Sequence, residues 1–348
     1  MTDLSPIKTR RARYRGTHPR RFGEKYKELN PQLYADDVQK VIERGQTPAG
    51  MHRPILVNEV LESLDLKPGM KGLDATLGFG GHAQELLKGI SPGGRLIGID
   101  VDPVELPRTE ARLRGLGFRE DVLVVRRMNF AGILKLLPDV GGAFDFVLAD
   151  LGVSSMQLDN PARGFSFKTP APLDLRLNPG RGQPASTVLK SMSEAELTNL
   201  LISNADEPRA GIIAQMIFRN RLEIESTSHL VDLVARALRC LPEPTRREET
   251  KKSLQRTFQA LRIAVNDEYA VLDQFLRYLP QCLKAGGRVA ILSFHSGEDR
   301  RVKKSFQEGG RNGTYVRIAP DPIRPSADEC RSNPRASCAK LRWAIKGA

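Results

Sequence analysis

From Met51 onward the apolar positions fall into two alternating textures, short strand-like runs and longer stretches with helical spacing, as a parallel α/β sheet requires. "GLDATLG" (72–78) reads as a first strand, "HAQELLKGI" (82–90) as the helix after it, and "GGRLIGIDVD" (93–102) as a second strand. "DVLVVRRMNF" (121–130) gives a third strand, and "AFDFVLADLG" (143–152) a fourth whose nearly unbroken apolar run suits burial on both faces. The pattern then breaks. Between about 160 and 254, Pro-rich and Arg-rich turns lead into helical stretches such as "SEAELTNLLI", "AGIIAQMIFRNR" and "SHLVDLVARALRCL", which predict an inserted helical unit. The α/β texture resumes with "NDEYAVLDQFLRYLPQCLKAGGRVAILSFHS" (266–296), read as a long amphipathic helix, a Gly-Gly turn that caps it and a strand. "KLRWAI" (340–345) reads as a final edge strand. The expected fold is α/β, a doubly wound Rossmann-like sheet with an inserted all-helical domain. Its parts are an N-terminal extension over 1–50, a core over 51–159 and 255–348, and the insertion over 160–254.

A chain of 348 residues with 40% hydrophobic and 27% charged positions has an ordinary globular balance and room for a core plus an insertion. Charge changes the picture more. Lys and Arg number 54 against 41 Asp and Glu, and the resulting +13 favours a polyanionic partner, nucleic acid foremost. The first fifty residues mix Arg and Lys with Tyr14, Phe22 and Tyr26 without an apolar period, and read as a basic arm. Such an arm suits RNA, a solvated tail or an organellar transit peptide. Cys240, Cys282, Cys330 and Cys338 form no C-x-x-C pair and fit reduced thiols. No apolar run reaches the roughly 18 to 20 residues of a membrane span, and no secretory apolar segment follows the basic start. A soluble, cytoplasmic protein without a membrane partner is expected.

The turn "LDATLGFGGHAQELL" (73–87) carries the relaxed dinucleotide fingerprint Gly78-x-Gly80-x-x-Ala83, with Asp100 at the end of the next strand. Glycines let a backbone approach a ligand closely, and the acid accepts hydrogen bonds from ribose hydroxyls. A nicotinamide dinucleotide and S-adenosylmethionine both offer these. No Lys-Ser or Lys-Thr follows the glycines, which disfavours a P-loop. Asp74, just ahead of the turn, would repel a pyrophosphate and attract a cationic ligand, while His82 suits either ligand contact or helix capping.

The fourth strand ends in "LADLGVSSMQLD", which sets Asp150, Gly152, Ser154, Ser155 and Gln157 at the carboxyl edge where open α/β sheets bind ligands. "ILSFHSGEDRRVKK" sets His295, Ser296, Glu298, Asp299 and Arg300 after the returning strand, and suits substrate positioning or a structural turn. There is no G-x-S-x-G elbow, and five scattered histidines supply no His-rich cluster, so no metal is expected.

Nine motifs in order, "MHRPILVNEVLESL", "DATLGFGGH", "GIDVDP", "ADLGVSSMQLD", "RGFSF", "PLDLRLN", "RTFQALRIAVNDE", "GGRVAILSFHSGEDR" and "NPRASCAKLR", resemble the bacterial 16S rRNA (cytosine-N4)-methyltransferase family. The resemblance runs from Met51 nearly to the end. It implies a Rossmann-like class I methyltransferase core, a helical insertion for substrate recognition, S-adenosyl-L-methionine as cofactor, and a decoding-centre cytosine of small-subunit ribosomal RNA, free or in the assembled subunit, as target. By motif position it implies cofactor contacts at Gly80, Gly81, His82, Asp100, Phe130, Asp150 and Gln157. Three departures stand out: "LDLRLN" with Asn178 where "LDMRMD" is usual, Gly297 where "FHSLEDR" has Leu, and "KSLQRTFQ" for "HPATRTFQ".

Under this reading Asp150 is the candidate catalytic residue, accepting hydrogen bonds near the cofactor or target amine and helping to take the surplus proton. Arg163, Arg176, Arg256, Arg262 and His295 are candidate substrate contacts, the arginines either holding RNA phosphates or tying the insertion to the core. A homodimer is left open. The competing readings are a nicotinamide-dependent oxidoreductase on the same turn and a non-catalytic RNA-binding protein on a methyltransferase shell.

Overall fold

The computed structural model describes residues 54–348, so the basic extension over 1–50 lies outside the described residues. Helix α1 (Val57–Leu64) leads into strand β1 (Lys71–Asp74), α2 (Gly81–Ile90), β2 (Arg95–Asp100), α3 (Glu105–Gly115) and β3 (Leu123–Arg127). After β4 (Phe144–Asp150) come the short α4 (Ser155–Asp159) and the helices α5 (Ala185–Ser191), α6 (Glu194–Ala205), α7 (Ala210–Asn220), α8 (Thr227–Ala237) and α9 (Thr245–Val265). The chain returns through α10 (Glu268–Cys282) to β5 (Leu283–Ser293), α11 (Ser296–Arg311), β6 (Tyr315–Ile318) and β7 (Lys340–Lys346).

The seven strands form one sheet in the order β3-β2-β1-β4-β5-β7-β6. Strands β1 to β5 pair in parallel, and β7 runs antiparallel to both of its neighbours. The near-continuous apolar strands follow from cover on both faces. Ile97, Val147 and Ile291 point into one cluster with Leu272, Phe275 and Leu279 of α10. Their neighbours Leu96, Leu148 and Leu292 point into the opposite cluster with Leu56, Val60 and Leu86. A third cluster belongs to the inserted helices and includes Leu197, Ile213, Leu230 and Phe258.

Three local expectations change. "KLRWAI" is not an edge strand, because β7 is sandwiched between β5 and β6. The edge is β6, whose four residues include only one buried side chain, Tyr315, and so carry too little pattern to read. The Gly-Gly pair does not cap α10, which already ends at Cys282 just after Pro280. Gly286 and Gly287 lie within β5 instead, at a bulge where Phe144 pairs with Leu283 but Phe146 pairs with Arg288. The expected junction at 254/255 falls inside α9, whose Leu254, Phe258 and Leu261 all pack with the inserted helices.

Chain order reverses between β1 and β4, the switch point of the sheet, beyond whose carboxyl strand ends open α/β folds bind their ligands. Asp74, Asp100 and Asp150 are the last residues of β1, β2 and β4, so the fold delivers three carboxylates to that edge.

Candidate active site

The glycine turn links β1 to α2. Gly78 and Gly80 adopt left-handed backbone angles, φ +49° and +74°, that favour glycine. Helix α3 grips the turn from the side: Thr109 Oγ1 donates to the Gly78 carbonyl at 2.6 Å. The Arg112 guanidinium bonds the Phe79 carbonyl and lies 4.2 Å over the Phe79 ring. A Cβ on Gly80 would meet Thr109 Cγ2 at 3.0 Å, and one on Gly81 would meet Pro54 Cγ at 2.5 Å. Protein neighbours, as well as any ligand, therefore require these two positions to stay bare.

Asp74 is 1% exposed, and its Oδ1 accepts the Thr76 N–H at 3.1 Å. Burial pushes its carboxyl up to about 7. Asp100 accepts from Gly78 N at 2.8 Å and from Asp102 N at 2.9 Å, bracing the glycine turn from the neighbouring strand. Burial raises its carboxyl despite those two bonds. Asp150 is fixed through its backbone, whose N–H donates to Thr76 Oγ1 at 2.6 Å.

His82 neither caps α2 nor stands in solvent. It is 7% exposed, with Nε2 3.0 Å from the Ile55 carbonyl and Nδ1 3.4 Å from Asp150 Oδ2. The other Asp150 oxygen, Oδ1, is buried and has no hydrogen-bond partner among the described residues. Asp74, His82 and Asp150 therefore come together beside the turn.

Gln157 is fully engaged elsewhere. Within a capping box on α4 its Oε1 accepts Ser154 N–H at 2.9 Å, and its Nε2 donates to Asp102 Oδ2 at 2.7 Å. Asp102 is a hub that sequence reasoning passed over, although "GIDVDP" sets it two residues beyond Asp100. It has no exposed surface, accepts from Val104 N and Glu105 N, and pairs with Arg163 Nη1 at 2.8 Å. Burial opposes its charge, but the bonds from Gln157 and Arg163 prevail and hold it below the usual carboxylate range. Phe130 follows β3 and packs edge-to-face on Phe275, ring centres 5.2 Å apart, with part of its surface exposed.

Residues 49–347 match the MraW methylase family. The chain belongs to that family. It is 57% identical over 340 residues to "Ribosomal RNA small subunit methyltransferase H 2" of Alkaliphilus metalliredigens, covering 97% of each chain. It is 55% identical to "Ribosomal RNA small subunit methyltransferase H 1" of Lachnoclostridium phytofermentans over 98% of this chain and 94% of that one. A relative from Heliobacterium modesticaldum, "Ribosomal RNA small subunit methyltransferase H", is 40% identical over 85% of this chain and 98% of its own. The first two matches reach well into the first fifty residues, before the start of the family match at 49.

Three of the four candidate arginines of this MraW-family methylase are committed to carboxylates. Arg163 is buried, and beyond Asp102 its second nitrogen donates to the carbonyls of Arg176 and Leu177, at 3.0 and 2.7 Å. It therefore ties the loop before α5 to the strand edge, the structural alternative to the expected phosphate contact. Arg176 grips Asp174 through two bonds of 2.8 Å. Arg262 grips Glu268 in the same way, also at 2.8 Å. Arg256 keeps 35% of its side chain exposed, 3.7 Å from the buried Glu207.

His295 caps α11: its Nδ1 accepts Glu298 N–H at 3.4 Å, and its Nε2 stands 3.1 Å from Glu298 Oε1. Glu268, His295 and Glu298 bring potential ligand atoms within 4.8 Å of one another. The Arg262 guanidinium occupies both oxygens of Glu268, so a fixed organic cation already fills that cluster. Among the described residues no helix is long and apolar enough to cross a membrane.

Proposed function

We propose that this methylase modifies the exocyclic N4 of a cytosine in the decoding centre of 16S ribosomal RNA, with S-adenosylmethionine as methyl donor. The observation that carries the reading is the convergence of Asp74, His82 and Asp150 at the switch-point edge of the sheet, with Asp150 Oδ1 buried and unpartnered among the described residues. Family membership and the relatives' names supply the reaction class. The residues fit a positively charged, ribose-bearing donor. Asp74 and Asp150 would favour the cation, which would in turn draw Asp74 toward its ionised form, and Asp100 stands at the ribose position of the fold.

S-adenosylmethionine supplies a methyl group on a positively charged sulfur, which leaves as a neutral thioether. The harder problem is the acceptor. The N4 lone pair of cytosine is delocalised into the ring, so the protein must orient the amine and draw on its hydrogens. N4 gains one methyl and loses one proton, and the Asp150 carboxylate, whose side chain keeps 30% of its surface exposed, is the group to receive it. The target base must leave its stack at a cost of a few kcal/mol, which contacts to the flanking phosphates offset. With Arg163 and Arg262 bound to carboxylates, the exposed part of Arg256 is the better phosphate contact of the expected set. Action on ribosomal RNA supports a cytoplasmic location.

The test is transfer of labelled methyl to small subunits lacking the modification, followed by mass-spectrometric identification of the methylated nucleoside. N4-methylcytidine in 16S RNA is the expected product. Methylation at another atom would refute the substrate assignment, and unchanged turnover by Asp150→Ala would remove Asp150 from the chemistry.

A further inference from the structure

The orientation of His82 raises a question of proton count. A carbonyl only accepts hydrogen bonds, so the 3.0 Å contact with Ile55 O requires the proton on Nε2. In a neutral ring that leaves a lone pair on Nδ1, facing Asp150 Oδ2 at 3.4 Å. Two lone pairs cannot face each other stably in a site where His82 is 7% exposed. A second proton, on the ring or on the carboxylate, turns that contact attractive.

Ordinary acidities place it on the ring, because a carboxylic acid is the stronger acid by about 2 to 3 pH units. Asp150 keeps 30% of its side chain exposed, so water still supports its charge. Among the described residues, the titratable groups facing His82 are Asp150 from β4 and Asp74 from β1, with Asp100 beyond Asp74. All are acidic. Burial works against a charged imidazole, but Asp150 and Asp74 outweigh it and raise the affinity of His82 for its proton.

We propose that His82 is a positioning residue which stays an imidazolium at neutral pH, holding the Asp150 carboxylate in place for the target amine through its contact with Oδ2. The proposal rests on the methyl-transfer reading for its chemical consequence, while the charge state itself is a property of the protein alone. When N4 is methylated, its proton passes to the exposed part of the Asp150 carboxylate and then to water, and His82 keeps its own. A positive charge held 3.4 Å from the Asp150 carboxylate should set the acid side of the activity profile.

The charge state is read by nitrogen NMR on the full-length protein labelled at histidine, without donor or RNA. The His82 signal is assigned by its loss in His82→Gln and, independently, by its shift in Asp150→Asn. Both ring nitrogens should remain protonated above the ordinary histidine midpoint. In Asp150→Asn the midpoint should fall by at least about one pH unit. A His82 ring that is neutral across pH 6 to 8 would overturn the proposal whatever the activity. On small subunits, His82→Gln should lower kcat by about tenfold or more, leave KM within about twofold, and move the acid limb to higher pH. A folded variant with an unmoved acid limb would also overturn it. Absence of cytosine methylation by the wild type would instead defeat the functional reading and leave the NMR result standing.

Discussion

A β-carbon on Gly297 would lie 1.8 Å from the hydroxyl oxygen of Tyr269, so the bare first turn of α11 is the space the tyrosine fills. Tyr269 uses that position to donate to the Asn204 carbonyl at 3.0 Å, joining α10 to the end of α6 in the insertion. Arg301 covers its ring at 3.6 Å. Glycine in place of the leucine usual in the resembling motif is thus matched by a packed partner. Gly297→Ala is expected to destabilise the protein by about 1–3 kcal/mol through overpacking. Tyr269→Ala should abolish most of that penalty in the double variant, and Tyr269→Phe only part of it, since the ring carbon Cζ would still lie 2.7 Å away. Urea unfolding of the three variants and the two combinations measures the coupling.

Arg163 and Asp102 form the buried pair that anchors the loop before α5. Arg163→Met leaves Asp102 charged and buried, and should cost about 3–5 kcal/mol. Arg163→Lys should recover little, because a single ammonium cannot reproduce the fork that also reaches the carbonyls of Arg176 and Leu177. Chemical denaturation gives both numbers.

Gly80→Ala should lose about 1–2 kcal/mol to its left-handed backbone, with crowding against Thr109 and Arg112 in addition. Gly81→Ala meets Pro54 at 2.5 Å and should shift the segment before α1. Calorimetric titration with S-adenosylmethionine is expected to show weaker binding for both, with the fold retained by circular dichroism.

Asp74 gives the protein a pH dependence of definite sign. Its folded carboxyl sits near about 7 against an ordinary 3.8, so the folded state holds that proton more tightly than the unfolded chain. The stabilising contribution is full below 3.8 and is lost as pH rises through about 7. Asp74→Asn should therefore gain stability relative to wild type between about pH 4 and pH 8, and lose affinity for a cationic donor. Unfolding free energies of the two proteins across that range test the first expectation, and calorimetry the second.

The sequence by itself determined the α/β class, the helical insertion and the three acidic strand ends. These depend on period and on residue type: apolar runs covered on both faces, helical spacing, and carboxylates placed where strands stop. It could not show that "KLRWAI" is flanked by a further strand, because β6 is only four residues long and mostly exposed. Nor could it show which arginines are free. Arg163, Arg176 and Arg262 look like phosphate contacts in one dimension, and only packing reveals that Asp102, Asp174 and Glu268 already hold them. Tertiary structure likewise turned His82 from a helix-start residue into the neighbour of Asp150, sixty-eight positions away, by setting the Ile55 carbonyl on one side of the ring and the end of β4 on the other. Charge state follows from such neighbours, and neighbours distant in the chain are fixed by the sheet order that brings β1 beside β4.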